Sequence, residues 1–252
     1  MTDLAVRARR VRMVRQGGWA LADQMLSSGT NFLAAIVVAR LLGPAEYGSY
    51  ALAFAAWVVV MALTRSMLVQ PYIVSGAELE GSQWRDHTRL ALGCVLMAGV
   101  LAGVVLVAIG AAVGFDSTGR ALATLGVFLA GVLVQDFWRY AAFTSRRPEL
   151  AFFNDGIWAG VLIVVLFVLW RTDSLTAATA VAAWSGGAVA GAVWGVRQFQ
   201  LLPVLDRRCL SWARKLARLA GWFGAANVVG QAGTQAALLI IAGTAGRAAV
   251  GG

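Results

Sequence analysis

The sequence predicts an all-α, polytopic membrane protein of about seven transmembrane helices. These form one six-helix lobe followed by the first helix of a second, parallel repeat. Three observations carry this. Hydrophobic residues make up 60% of the 252 positions and charged residues only 13%, where a soluble domain carries about 25% charged residues. Seven apolar runs reach the roughly 20 residues that an α-helix needs to cross a bilayer. The seventh run repeats the pattern of the first.

The runs fall near 18–42, 47–65, 90–114, 121–143, 152–170, 175–197 and 217–243. The first follows a basic segment, RARRVRMVRQ, and contains Asp23, Gln24, Ser27, Ser28 and Asn31. Those polar residues, and the lack of a small-x-small cleavage pattern, favour a retained helix over a signal peptide. Gly43 and Pro44 end it, because Gly closes helices and Pro cannot continue them. Arg40 suits the negative end of the first helix, and Glu46 the positive end of the second. "GPAE" thus reads as a tight turn between two spans. The third run, Leu90 to Phe115, carries no charge. The sixth is rich in Ala and Gly, with Gly187, Gly191 and Gly195 spaced by four, as are Gly99 and Gly103. Such stripes let helices approach closely, or simply reflect composition.

Orientation follows from the cations. With the N-terminus cytoplasmic, 17 of the 21 Lys and Arg residues fall on the inner side and four, Arg40, Arg120, Arg171 and Arg247, outside. Inner loops richer in Lys and Arg are the usual arrangement. The same asymmetry explains the net charge of +9 without a nucleic-acid partner. Basic inner loops also suit anionic lipid headgroups. The expected divisions are a basic cytoplasmic N-terminus (1–17), the six-helix lobe (18–200), a basic cytoplasmic linker (201–216) and the repeat helix (217–252). The longest inner loop is expected near 66–89, with His87 within it.

Shifting the chain by 203 residues aligns 15–48 with 218–251 at nine identities, among them Arg15/Arg218, Gly18/Gly221, Trp19/Trp222 and Gly43/Gly246. Six helices per copy is even, so both copies enter from one side. That is the pattern of parallel repeats about an axis along the membrane normal. It leads to the expectation that the chain is the N-terminal portion of a two-lobe protein.

On a wheel of about 100° per residue, Asp23, Gln24, Ser27, Ser28, Thr30 and Asn31 share one face. Asn227, Gln231, Thr234 and Gln235 do so on the repeat helix. Polar groups facing lipid are costly. These faces therefore line either a hydrated cavity or a dry, hydrogen-bonded interface. Asp23, Gln24, Ser27, Ser28, Asn31, Asn227, Gln231 and Thr234 are the candidate cavity residues. Asp136 and Arg139, three apart, could pair on one face, and Asp155 opens the fifth span. Arg65 and Arg139 are the inner-side cations best placed to face a cavity.

Other chemistry has little footing. Cys94 lies in an apolar span and Cys209 in a basic segment, which argues against a disulfide, and one histidine with two cysteines makes no zinc site. No cofactor, metal or catalytic residue is expected, and the chain is read as a non-enzyme.

"ARLLGPAEYGSYALA" (Ala39–Ala53), following "DQMLSSGTNF" (Asp23–Phe32), resembles the polysaccharide transporter branch of the multidrug/oligosaccharidyl-lipid/polysaccharide exporter superfamily. "QDFWRYAAFTSRRPELAFFNDGIWA" (Gln135–Ala159) resembles the helix 4–5 connection of bacterial members of that branch. The resemblance implies two six-helix lobes around a central cavity, in the bacterial cytoplasmic (inner) membrane. It implies a flippase that moves a polyprenyl-linked oligosaccharide or polysaccharide precursor outward by alternating access, working beside polysaccharide-assembly enzymes. Arg65 and Arg139 would then be candidates to hold the pyrophosphate, because guanidinium forks match phosphate oxygens. Two alternatives stay open. One is a cation-coupled, multidrug-type exporter using Asp23. The other is an integral-membrane polysaccharide-assembly enzyme.

Overall fold

The computed structural model describes the backbone of residues 2–114 and 116–245, and the side chains of 15–114 and 116–227. Among these it is entirely helical: α1 (Thr2–Leu41), α2 (Pro44–Thr64), α3 (Gln70–Gly76), α4 (Gly81–Val113), α5 (Ser117–Thr144), α6 (Glu149–Arg171), α7 (Ala177–Phe199) and α8 (Arg207–Ala245). Five helices in the described residues are long and apolar enough to cross a membrane: the continuous rod Pro44–Gly76, then α4, α5, α6 and α7. The protein is a polytopic, all-α membrane protein. α1 and α8 exceed spanning length, at 40 and 39 residues. α1 carries the basic segment and polar stripe within it, which keep it outside the apolar class.

Helix ends follow local chemistry. Pro44 occupies the first turn of α2, where its missing N–H costs nothing. Asp116 caps α5 by accepting from Gly119 N at 2.8 Å. Thr176 and Thr179 form a reciprocal capping box at α7. Gly114, at φ 106°, closes α4 in the left-handed conformation that Gly adopts without strain. Glu46 does more than complement its own helix. Its Oε2 accepts from Ala177 N at 2.6 Å and its Oε1 from the Ser117 hydroxyl, so one carboxylate ties together the starts of α2, α5 and α7.

The expected long loop at 66–89 is absent. α2 runs through a π-helical turn, Arg65–Val69, into α3, and only residues 77–80 separate α3 from α4. Pro71 has no N–H to offer and would break an α ladder. One turn earlier the ladder has already widened, with Gln70 N donating to Arg65 O, five residues back. The rod continues because Tyr72 is fully buried, its hydroxyl bonded to Thr88 at 3.0 Å and Thr144 at 2.8 Å. His87 accordingly lies on a helix, stacked on Tyr72 at 5.1 Å. The linker expected at 201–216 is also shorter, since α8 begins at Arg207, and the N-terminal segment is helical from Thr2.

α5 is the hub, packed against α4, α7, α2 and α6. The small-residue stripes are where helices meet, backbone to backbone at Gly103 and backbone to indole at Gly195. A Cβ on Gly103 would lie 2.4 Å from Gly126 O, and one on Gly195 would lie 2.2 Å from the Trp138 ring. These contacts are closer than any side chain allows, so the stripes are packing surfaces. The two cysteines also meet. Both are buried free thiols, and Cys94 Sγ donates to Cys209 O at 3.1 Å.

Candidate functional site

A polar cavity of about 420 Å³ lies among α1, α2, α5, α6 and α7. α1 contributes Gln24, Ser27, Ser28 and Asn31 but not Asp23, which is buried and does not line the cavity; α2 and the π turn contribute Trp57, Met61 and Arg65. α5 supplies Val132, Gln135, Asp136, Arg139, Tyr140 and Phe143, and Trp158, Trp184 and Ala188 complete the wall. Thr30, although on the same sequence stripe, lines an apolar groove between α1 and α6 instead. Asn227 is half-buried and is not among the lining residues. The side chains of Gln231 and Thr234 lie outside the described residues.

The stripe serves two purposes at once. Asn31 bridges helices: its Oδ1 accepts from Trp184 Nε1 at 3.0 Å, and its Nδ2 donates to Ser27 O at 3.0 Å. Gln24 donates to Ser28 Oγ at 2.7 Å, one helical turn along. The stripe is therefore part interface and part cavity wall.

The charged floor differs from the expected pairing. Asp136 and Arg139 do not pair with each other. Arg65 forms a two-point fork on Asp136, Nη2 to Oδ1 at 2.6 Å and Nε to Oδ2 at 3.0 Å. Such planar two-point contacts are the strong form of ion pair. The Arg65 guanidinium also lies 5.5 Å from the Tyr140 ring centroid, a cation–π distance. Arg139 sits between two other acids. Its Nη2 donates to Asp155 Oδ2, and its Nε lies 3.2 Å from Asp23 Oδ2. Gln135 Nε2 holds the second Asp155 oxygen at 2.7 Å. Asp23 and Asp155 are each only 1% exposed.

Chain geometry explains the exchange of partners. Residues three apart share a helix face, but long side chains reach across to neighbouring helices where those supply an opposite charge. Asp136 faces the π turn, and Arg139, one turn further along α5, faces α1 and α6. Isolated buried charges are strongly unfavourable, so every member of this group needs its partner. Pairing is complete at Asp136 and incomplete at Asp23. Asp23 Oδ1 and Arg139 Nε have no aligned hydrogen-bond partner among the described residues, nor does Trp57 Nε1. Two guanidiniums against three carboxylates leave one formal negative charge.

Sequence reasoning missed the aromatic part of the wall. Trp57 and Trp184 meet edge to face at 4.7 Å, and Trp158 lies 6.4 Å from Trp184. Trp158 Nε1 donates to Trp184 O at 3.1 Å, which orients the pair. The one sequence signal for Trp184 is a large residue among the small residues of 177–192. Gln135 was findable, because it stands four residues before Arg139 on one helix face. No group of three or more His, Cys, Asp or Glu able to hold a metal occurs among the described residues.

Fold and cavity together define a multi-pass membrane protein with a charged, partly aromatic chamber inside one helical lobe. No family model matches the chain, and no curated protein or solved structure matches it.

Proposed function

We propose that this chain forms the first lobe of a transporter that carries a polyprenyl-linked saccharide from the inner to the outer leaflet of a bacterial cytoplasmic membrane. The observation that carries the reading is the wall of the 420 Å³ cavity, which sets amide and hydroxyl groups of α1 opposite indole rings and two arginines. Sugars present hydroxyls to amides and apolar C–H faces to aromatic rings. The remaining guanidinium N–H groups of Arg65 and Arg139 suit the phosphate oxygens. Their engagement with Asp136, Asp155 and Asp23 fixes the forks in place before a ligand arrives. The resemblance of Ala39–Ala53 and Gln135–Ala159 to the polysaccharide transporter branch supports the same reading. The saccharide would occupy the cavity while the prenyl tail stays in lipid, and rocking of the lobe would open the outer side.

The test is binding and flipping of a fluorescent polyprenyl-pyrophosphate saccharide by the purified protein in vesicles, with and without Trp184→Ala and Arg65→Ala. Binding that falls in both variants supports the proposal. Wild-type protein that neither binds nor flips the lipid overturns it. Topology is checked separately in cells with Cys94 and Cys209 replaced. Cysteine at Ser117 or Thr172 should react with an impermeant reagent, and cysteine at Ser82 or Ser145 should not. The reverse pattern would place the N-terminus outside.

A second reading, a cation-coupled small-molecule exporter, is favoured by the charge count. A coupling cation carried at Asp23 would balance the third carboxylate and partner its free oxygen. Cation-dependent efflux of organic cations, lost in Asp23→Asn and without saccharide flipping, would select it.

A further inference from the structure

The segment joining α7 to α8 is stitched to α4. Arg85 Nη2 donates to Gln200 O at 3.0 Å, Arg89 Nε to Leu202 O at 3.3 Å, and Val204 N to Arg89 O at 3.1 Å. α8 is then anchored by its own first turns. Trp212 Nε1 donates to His87 Nδ1 at 3.1 Å. Indole is a donor only, so His87 Nδ1 accepts, and its Nε2–H is left to donate to Tyr72 O at 3.2 Å. Cys209, Trp212 and Ala220 are buried on this inner side.

The opposite side of the same turns is cationic and exposed. Arg207, Arg208, Arg214, Lys215 and Arg218 are all exposed. At about 100° per residue they fall within an arc of about 120°. Asp206 is the single acid after Asp173 in the whole sequence. It is committed to Arg208 at 2.8 Å, and that hydrogen bond holds its carboxyl below the usual carboxylate range. Arg207, Arg214, Lys215 and Arg218 have no ion-pair partner among the described residues. Arg214 and Arg218 stand one turn apart, where like charges repel. The anchored inner face prevents the helix from turning this row away. Exposed Leu210 flanks the row on one edge, and Trp222, one turn beyond Arg218, is exposed within the same arc.

We propose that this face of α8 binds anionic phospholipid headgroups of the leaflet beside it. Phosphodiesters supply the counter-charge that the protein lacks here, and guanidinium forks bind phosphate oxygens by paired hydrogen bonds. Leu210 and Trp222 suit the boundary between headgroup and chain, where an apolar side chain beside cations is at home. The site lies at the α4–α8 junction, apart from the cavity, and its occupancy does not depend on what the cavity carries.

The test uses the full chain in nanodiscs, with a bimane label on Ser211→Cys, at the centre of the cationic arc. Brominated phosphatidylglycerol and brominated phosphatidylcholine are compared as quenchers, without any saccharide. We expect phosphatidylglycerol to quench at several-fold lower mole fraction. That preference should shrink in each of Arg207→Gln, Arg214→Gln and Arg218→Gln, be lost in the triple variant, and shrink in high salt. A label on Thr172→Cys, at the other end of the lobe, should show no preference. The variants are exposed, and an unchanged melting temperature confirms that they fold. Equal quenching by both lipids overturns the proposal, as does a preference that survives the triple variant. Displacement of phosphatidylglycerol by millimolar inorganic phosphate also overturns it, because the face would then bind free anions.

Discussion

α1 and α8 share an entry of Arg-x-x-Gly-Trp, yet the two helices are used differently. Trp19 of α1 is half-buried, its ring 5.4 Å from Phe152 and 6.0 Å from Phe153 of α6. Trp222, its repeat equivalent, is 72% exposed. Four residues further on, α1 carries Asp23, buried against Arg139, where α8 carries the exposed Ala226. α1 packs on α6, while the described part of α8 packs on α4, α3 and the π turn. The repeated sequence thus gives a helix at both places but not the same packing. Among the described residues the charged site forms at α1, which has both the acid and an α5 arginine that answers it.

The largest difference should appear at the charge that α8 lacks. Arg139→Ala strands Asp23 and Asp155 without their cation and should destabilise the protein by about 3–5 kcal/mol. The check is thermal unfolding in detergent. Arg218→Ala, on exposed α8, should cost less than about 0.5 kcal/mol. Comparable losses would mean that the Asp23–Arg139–Asp155 cluster does not hold the lobe together.

The two tryptophans come next. Trp19→Ala removes half-buried aromatic packing and should cost about 2–3 kcal/mol, somewhat below a full core truncation. Trp222→Ala should stay within about 0.5 kcal/mol in detergent, where no lipid headgroup meets it. If the order reverses, Trp222 is covered by something that the described residues do not include, and the contrast between the copies disappears.

A third comparison separates the fork from its charge. Arg65→Lys keeps the cation but gives up two-point contact with Asp136, and should cost about 1–2 kcal/mol. Asp136→Asn, measured beside it, should lose a similar amount. A neutral result for Arg65→Lys would show that a point charge suffices on the π turn.

The smallest effect is expected where the copies agree. A Cβ would meet nothing within 4 Å at Gly18 or at Gly221. Alanine at either position should be neutral or stabilise by up to about 1 kcal/mol through better helix propensity. Gly195→Ala is the counter-case. Its Cβ would collide with the Trp138 ring, which is itself fixed by a bond from Nε1 to Ala192 O at 3.0 Å, and overpacking of that kind costs about 1–3 kcal/mol. A destabilising Gly18→Ala with a neutral Gly221→Ala would reveal a close neighbour at the first copy only.

The sequence alone determined the helical, membrane-embedded class, because apolar runs of bilayer length have few other stable forms. It also determined the turn at Gly43–Pro44 and which face of α1 is polar, since both follow from spacing along one chain. Gln24, Ser27, Ser28 and Asn31 could be assigned to a wall on that basis. Tertiary structure decided what one-dimensional spacing cannot encode. It joined Arg65 to Asp136 and Arg139 to Asp23 and Asp155, partners at least 16 residues apart in sequence, because opposite charges in a low-dielectric interior take the nearest partner in space. It turned the polar stretch after Arg65 into a π turn and a further helix, because burial of Tyr72 outweighs the break that Pro71 would otherwise impose. It brought Cys94 to Cys209 and His87 to Trp212, and it gathered Trp57, Trp158 and Trp184 into one wall. Each of these depends on which helices become neighbours, and small residues such as Gly99, Gly103, Gly126 and Gly187 let those backbones meet.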